Sequence, residues 1–497
     1  MEGVRKALAV SIGARGFASL LGLLALPLYV RLLGIEAYGV VGLFGSLQVL
    51  VAFMDMGLAT TLTRELAGVG SDRERLSQAR SVSLTFELAY LASATLIGLI
   101  LAAVAPWIAA RWVNLDALSA DHVGLALQMA AIALACQWPA NLYAAGLVGL
   151  HRQGPLAFSS SGFAGARVAL SLVALWQVPT LESFFAAQIA SSLLQSIGTR
   201  MQFWSAMRLK GHRPVPRLEL LRRSRTFAGG MTAITITSIV LVQMDKVILS
   251  YLLPLQEFGV YVVASSLATG LYVLISPVFS VIYPRLSALW HSGDAAGSAG
   301  LYHSSSQAMA ALVLPLAAVM ACFPAEALLV LTGDPVLSAN GAAILMFLVI
   351  GCALNGIMNI PYALQLASGW TSLSVWINLA AIAVLAPATW LSALHWGAAG
   401  GAAAWAALNL CYLIFTPQLL HRRLIPGAKW RWYLDDVLQP AAASVLTVLL
   451  LKSLATDAGT RWQVLLQLTG YWLVTTLATM LVLRRLRHQI PIWRKNA

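Results

Sequence analysis

Six ionisable side chains, Arg15, Asp55, Glu87, Arg167, Asp245 and Lys246, stand well inside long apolar runs. A charged Arg, Lys or Asp at mid-hydrocarbon costs about 2.5 to 3.5 kcal/mol on the insertion scale, so such groups must pair or line a wet passage. At about 1.5 Å per helical residue Arg15 lies roughly 13 Å beyond Lys6, too deep for easy snorkelling. Arg15 and Arg167 are therefore read as lining a passage, and a guanidinium there suits phosphate, which it grips through forked, charge-assisted bonds. Lys246 sits nearer the end of its run, where a role in the passage and simple snorkelling both fit. Asp55, Glu87 and Asp245 admit two roles, binding a coupling H⁺ or Na⁺ or balancing the basic residues, with charge balance favoured. Asp245 and Lys246 are consecutive and point about 100° apart on a helix, so each needs its own partner.

Uncharged polar residues recur at helical spacing in four places: Ser11 and Ser19 with Arg15; Gln188, Ser192, Gln195 and Thr199; Thr235 and Ser238 with Asp245; and Asn355, Asn359, Tyr362 and Gln365. Each set shares one helix face. A single stripe of this kind is ordinarily interhelical glue. Four of them, spread over both halves of the chain, favour a hydrophilic passage, and Asn355, Asn359 and Gln365 offer amides suited to sugar hydroxyls. No paired acids, Ser/His/Asp set or metal-ligand spacing appears, and the eight histidines are dispersed. A catalytic site and a metal site are accordingly not expected, and no cofactor beyond a coupling ion is called for.

The elements that must hold these residues are membrane helices. Of 497 residues, 59% are hydrophobic and 10% charged, against roughly 25% charged in soluble domains. The apolar residues come in runs of about 20 or more, long enough to cross hydrocarbon as helices. The net charge of +13 sits in short loops between those runs, which marks orientation in the membrane rather than a nucleic-acid partner. Cys136, Cys322, Cys352 and Cys411 lie scattered in apolar runs and read as packing residues. The opening MEGVRK and its apolar continuation resemble a secretory signal, but the run reaches about Val30, carries Arg15 and lacks a small-residue cleavage site. It is read as a retained first span.

Fourteen spans are expected, with 12 to 14 as the range. Alternating the loops places 25 of the 32 Lys and Arg residues on one side, against Arg31, Arg111, Lys452 and Arg461 on the other. That asymmetry predicts cytoplasmic termini in a multi-pass protein. The sequence divides into 1–208 (spans 1 to 6), a basic linker 209–226, 227–421 (spans 7 to 12) and 422–497 (spans 13 and 14 with a basic tail). Within the linker, LELLRRSR can lie flat on a membrane as a basic interfacial helix or remain a solvated loop. A repeat supports the division: RLLGIEAYGVVGLFGSL at 31–47 aligns with YLLPLQEFGVYVVASSL at 251–267, an offset of 220 residues. Pro27, Pro277, Pro315, Pro361 and Pro387 lie inside spans and permit bending there.

Three segments carry a family resemblance: the LLG-x-E-x-YG run in PLYVRLLGIEAYG, the D-x-G-L turn at Asp55 to Leu58, and DKVILSYLL at the start of the second half. With them the whole chain resembles the polysaccharide transporter family, Wzx-type O-antigen flippases, of the MOP superfamily. The resemblance implies an all-α polytopic, MATE-like, V-shaped bundle of two lobes that opens alternately to either side of a bacterial inner membrane. It implies an undecaprenyl-diphosphate-linked oligosaccharide as cargo, destined for lipopolysaccharide O-antigen or another surface polysaccharide. Membrane lipids, a polysaccharide polymerase and other assembly proteins are the partners implied. Cationic residues are thought to hold the diphosphate-sugar head in that family, a role that falls here to Arg15, Arg167 and Lys246. Two other functions compete. A multidrug exporter of the same superfamily would favour an acid-dominated passage, whereas these spans hold three bases and three acids. A membrane-embedded glycan polymerase or ligase would need a catalytic constellation, which the sequence does not offer.

Overall fold

Hydrocarbon supplies no partner for a peptide N–H or C=O, so a chain this apolar must satisfy its backbone within helices. The computed structural model describes residues 2–52, 57–68, 73–207, 214–216, 229–455 and 459–483, and the regular elements in them are helical. In chain order they are α1 (Glu2–Leu33), α2 (Ile35–Ala52), α3 (Leu58–Ala67), α4 (Arg73–Trp107), α5 (Ala120–Gln137), α6 (Pro139–Gly149), α7 (Gln153–Gln177) and α8 (Leu181–Ala206). There follow α9 (Gly229–Leu252), α10 (Leu255–Thr269), α11 (Tyr272–His291), α12 (Ala295–Cys322), α13 (Pro324–Thr332), α14 (Pro335–Ala367), α15 (Thr371–Leu424), α16 (Gln439–Ser453) and α17 (Arg461–Val482). Ten helical runs among the described residues are long and apolar enough to cross a membrane. The 54-residue α15 holds two passes in one run, broken where Trp396 and Gly397 leave helical geometry, Gly397 at φ 57° and ψ −144°. The turn therefore falls beyond Pro387, at a residue whose missing Cβ permits that conformation.

Other expected spans are each interrupted once. Trp138 separates α5 from α6, with Pro139 opening the second piece, and residues 270–271 separate α10 from α11. α4 runs into a π-type turn at Ile108–Trp112, and a second such turn, Trp432–Leu438, leads into α16. Exposed tryptophans cluster near helix ends, with Trp107 and Trp176 in the first half, and Trp376, Trp396, Trp430 and Trp462 in the second. Amphipathic rings at those levels suit the two membrane interfaces.

The chain forms two compact units, Met1–Gly259 and Val260–Ala497. Their boundary falls beyond the basic linker, because α9 packs on α2 inside the first unit. The repeat explains how. An ideal Cβ at Gly39 would lie 2.8 Å from both Cδ1 and the carbonyl oxygen of Leu255, and one at Gly259 would lie 2.2 Å from the carbonyl of Ile35. Adding the repeat offset of 220 to 35 and 39 gives 255 and 259, so the two close approaches are reciprocal. The chain at 112–118 straps this seam. Trp112 Nε1 donates to Ser250 Oγ at 3.1 Å, Asn114 Nδ2 donates to the Tyr251 carbonyl at 2.9 Å, and the Leu255 N–H donates to the Asn114 carbonyl at 2.8 Å. From the other side the Glu36 carboxylate accepts the N–H groups of Asp116, Ala117 and Leu118 at 2.9 to 3.2 Å. The Glu of the LLG-x-E-x-YG run is thus a cap for loop backbone.

In the second unit the hairpin α16–α17 is fixed by two of the basic residues on the poorly charged side. Lys452 Nζ donates to the Cys322 carbonyl at 2.7 Å, and Arg461 donates to the carbonyls of Val330 and Leu331 at 2.8 Å each. Both cations sit where α12 and α13 end and their last carbonyls lack helical partners.

Gly259→Ala places a methyl against backbone that cannot turn aside. It is expected to lower thermal stability in detergent by about 2 kcal/mol or more, within the usual range for overpacking, and by more than Gly39→Ala, whose nearest contacts include the flexible Leu255 side chain. An unchanged melting curve for Gly259→Ala would mean that the two chain segments do not meet there.

Candidate functional site

Polar residues on apolar helices fall into four groups. In the first, α7 presents Arg167, whose Nη2 donates to Gln195 Oε1 on α8 at 2.7 Å. Tyr29 of α1 lies beside Arg167 and Ser171, and its ring meets Phe184 edge-on at 5.4 Å. Gln188 Nε2 donates to Ser171 Oγ at 3.3 Å, one step further along the same interface. Arg167 itself is half-buried, and among the described residues it forms no ion pair with a carboxylate. The α8 row Gln188, Ser192, Gln195 and Thr199 therefore packs mainly between helices, with Gln188, Ser192 and Thr199 buried. Within this row Gln188 and Gln195 bond across to α7, Gln195 meeting a cation, while Thr199 bonds back to the Gln195 carbonyl at 2.7 Å.

In the second unit Asn355 of α14 lies at the centre of an amide cluster. Tyr272 of α11 donates its hydroxyl to Asn355 Oδ1 at 2.9 Å, and Asn355 Nδ2 donates to Oδ1 of Asn409, fully buried on α15, also at 2.9 Å. Asn359 Nδ2 donates to the Asn355 carbonyl at 3.0 Å and is half-buried. Tyr362, one turn on, stacks on Phe279. Gln365 does not join them. Its amide donates to the Trp370 carbonyl at 3.0 Å and to Ser374 Oγ at 2.8 Å, holding the turn between α14 and α15 while buried.

Glu87 of α4 is buried and accepts three hydrogen bonds: from the Tyr143 hydroxyl at 2.9 Å, from Arg200 Nε, and from Trp204 Nε1 at 2.9 Å. Arg200 belongs to the last two turns of α8 rather than to the linker, so this ion pair lies between helices. On α9, Asp245 is buried and the adjacent Lys246 half-buried. Asp55 lies outside the described residues. The backbone of Arg15 is helical in α1, while its side chain, with those of Ser11, Ser19 and Thr235, lies outside what is described.

The fourth group was not visible in the sequence. On α12, His303 Nδ1 shares a hydrogen bond with Asp436 Oδ2, and Gln307 Nε2 donates to Asp436 Oδ1 at 2.8 Å. Beside them the Tyr302 hydroxyl and His421 Nε2 share a hydrogen bond at 2.8 Å, and Trp432 Nε1 donates to Ser306 Oγ at 3.1 Å. All of these residues have exposures of a few per cent or less, and Trp432 is wholly buried. The π-type turn at Trp432–Leu438 carries both Trp432 and Asp436 into this interface. Among the described residues no three His, Cys, Asp or Glu side chains group as metal ligands. The cluster is a hydrogen-bonded clasp between α12, the end of α15 and the start of the last hairpin. The i, i+4 pair His303 and Gln307 was its one sequence signal.

Helix order and hydropathy define an all-α polytopic membrane fold. A family model described as "Polysaccharide biosynthesis protein" matches residues 4–290, more than half of the chain, and the chain belongs to that family. Among solved structures it is similar to the lipid II flippase MurJ in an inward closed conformation, with 14% identity, a TM-score of 0.74, and coverage of 95% of this chain and 98% of that one. It is also similar to an inward-facing multidrug resistance MATE family transporter of the MOP superfamily, with 13% identity, a TM-score of 0.66, and coverage of 82% and 95%. A third is a MOP superfamily transporter from Pyrococcus furiosus Vc1 (DSM3638) whose binding pocket is described as reversed in polarity, with 14% identity, a TM-score of 0.55, and coverage of 84% and 95%. No curated protein sequence matches.

Removing one member of the clasp leaves a buried charge or donor unpaired, which typically costs about 3 to 5 kcal/mol. Asp436→Leu should therefore lower the melting temperature strongly, and His303→Leu combined with Asp436→Leu should recover much of the loss. Additive losses in the double variant, read by thermal unfolding in detergent, would show that the two side chains are not coupled.

Proposed function

We propose that the protein moves a lipid-linked oligosaccharide, carried on undecaprenyl diphosphate, across a bacterial inner membrane by alternating access, with both termini cytoplasmic. Arg167 carries this reading. A guanidinium set midway along a membrane helix and steadied by the neutral amide of Gln195 keeps its positive charge available. A diphosphate head meets that charge with forked hydrogen bonds, whereas a cationic drug would be repelled. Arg15 and Lys246 extend the same role, Asn355 and Asn359 contribute amides toward sugar hydroxyls, and Gln365, whose amide holds a turn, is left out of it. Membership of a polysaccharide biosynthesis family and the likeness to a flippase of a lipid-linked substrate support the assignment.

The MATE-like neighbours support a second reading, export of drugs. The acid Asp245, buried on α9, is the residue that favours it, since a buried carboxylate suits a cationic cargo. Coupling by H⁺ or Na⁺ belongs to either reading and is assigned to the same acid or to Asp55.

Replacing Arg167 with Ala should abolish surface glycan export in cells, and Arg15→Ala should do the same, with both variants still inserted in the membrane. Arg167→Lys keeps charge without the fork and should export partially. Normal glycan export by Arg167→Ala, together with lost resistance to cationic drugs in Asp245→Asn, would replace the flippase reading with the exporter.

A further inference from the structure

The Glu87 carboxylate aims an arginine at the membrane surface. Arg200 lies nineteen residues after Leu181 on α8, roughly 28 Å along the axis, which is close to the ~30 Å thickness of hydrocarbon. Its guanidinium thus reaches head-group level when Leu181 stands at the opposite interface. Seven residues turn a helix by nearly two full circles, so Arg200 shares a face with Leu193, and Ile197 and Met201 lie about 60° and 100° round to one side. All three of these apolar side chains are exposed, as a side of α8 turned to lipid would be.

Most interfacial arginines swing freely, but this one does not. Its Nε–H is fixed on Glu87, which is 3% exposed, while the Arg200 side chain as a whole is 53% exposed. Tyr143 and Trp204 occupy the remaining directions around the carboxylate and hold it still. With Nε turned inward, the opposite N–H edge of the guanidinium faces out. Trp204, one turn on, adds an indole at the same level, where such rings prefer to lie.

We propose that Arg200, oriented by Glu87, binds the phosphate of an anionic phospholipid from the surrounding leaflet, whose acyl chain lies along Leu193, Ile197 and Met201. A planar fork suits a phosphodiester through two parallel charge-assisted bonds, and the apolar strip running from it toward mid-membrane selects a lipid over a soluble anion.

The test uses the full-length protein in neutral detergent doped with phosphatidylglycerol and phosphatidylcholine, with retained lipid counted by native mass spectrometry. Wild type should retain phosphatidylglycerol in preference to phosphatidylcholine. Arg200→Lys should retain it about threefold less well, because the charge remains without the fork. Arg200→Gln alone strands a buried carboxylate and can fail to fold, so the decisive variant is Glu87→Gln with Arg200→Gln, which removes both charges together. That variant should keep its melting temperature within a few degrees and lose phosphatidylglycerol about tenfold. Wild-type retention by the double variant would overturn the proposal, as would displacement of phosphatidylglycerol by equimolar undecaprenyl phosphate or inorganic phosphate.

Discussion

Every polar group that enters hydrocarbon must bring its own partner, because neither lipid nor water will supply one there. The placement of charged and amide side chains follows from that constraint more than from any other. Glu36 satisfies three loop N–H groups. Lys452 and Arg461 satisfy carbonyls at the ends of α12 and α13. Two cations thereby become structural, holding the last hairpin through helix termini whose partial negative charge suits them.

The repeat acts by the same economy of space. Where the 31–47 segment meets its copy, a glycine in each lets a backbone carbonyl of the other come closer than any side chain would allow. Side-chain and backbone hydrogen bonds from 112–118 then cross the seam. Close packing and interhelical hydrogen bonds are the forces available to helices that gain nothing from hydrophobic burial against lipid.

Much of the fold was legible in the sequence because hydropathy is a long-range average: runs of about 20 apolar residues announce helices whatever their detailed contacts. Breaks were less legible. Gly397 opens the run GAAGGAAA, whose other glycines stay helical, and nothing local marks it as the residue where the helix breaks. The candidate site divides similarly. Arg167 and Glu87 stood out because charge inside an apolar run is expensive, whereas the His303, His421 and Asp436 cluster unites residues more than a hundred positions apart, with Asp436 near the edge of its run. Gln365 shows the converse limit. It continues the polar row of Asn355 and Asn359, yet it sits nearly two turns nearer the helix end than Asn359, and the unsatisfied carbonyl of Trp370 claims its amide.

Two arginines on neighbouring helices show how the choice of partner sets what a buried cation can do. Arg200 is paired with a carboxylate, which fixes one edge of its guanidinium and leaves the half-exposed remainder to act outside the helix packing rather than within it. Arg167 is paired with an amide, which satisfies a donor but leaves the charge in place. Removing that charge from water is costly unless a counter-ion approaches. A chain that keeps such a group in the membrane gains from it when an anion arrives, and the diphosphate of the proposed lipid-linked cargo would bring that charge.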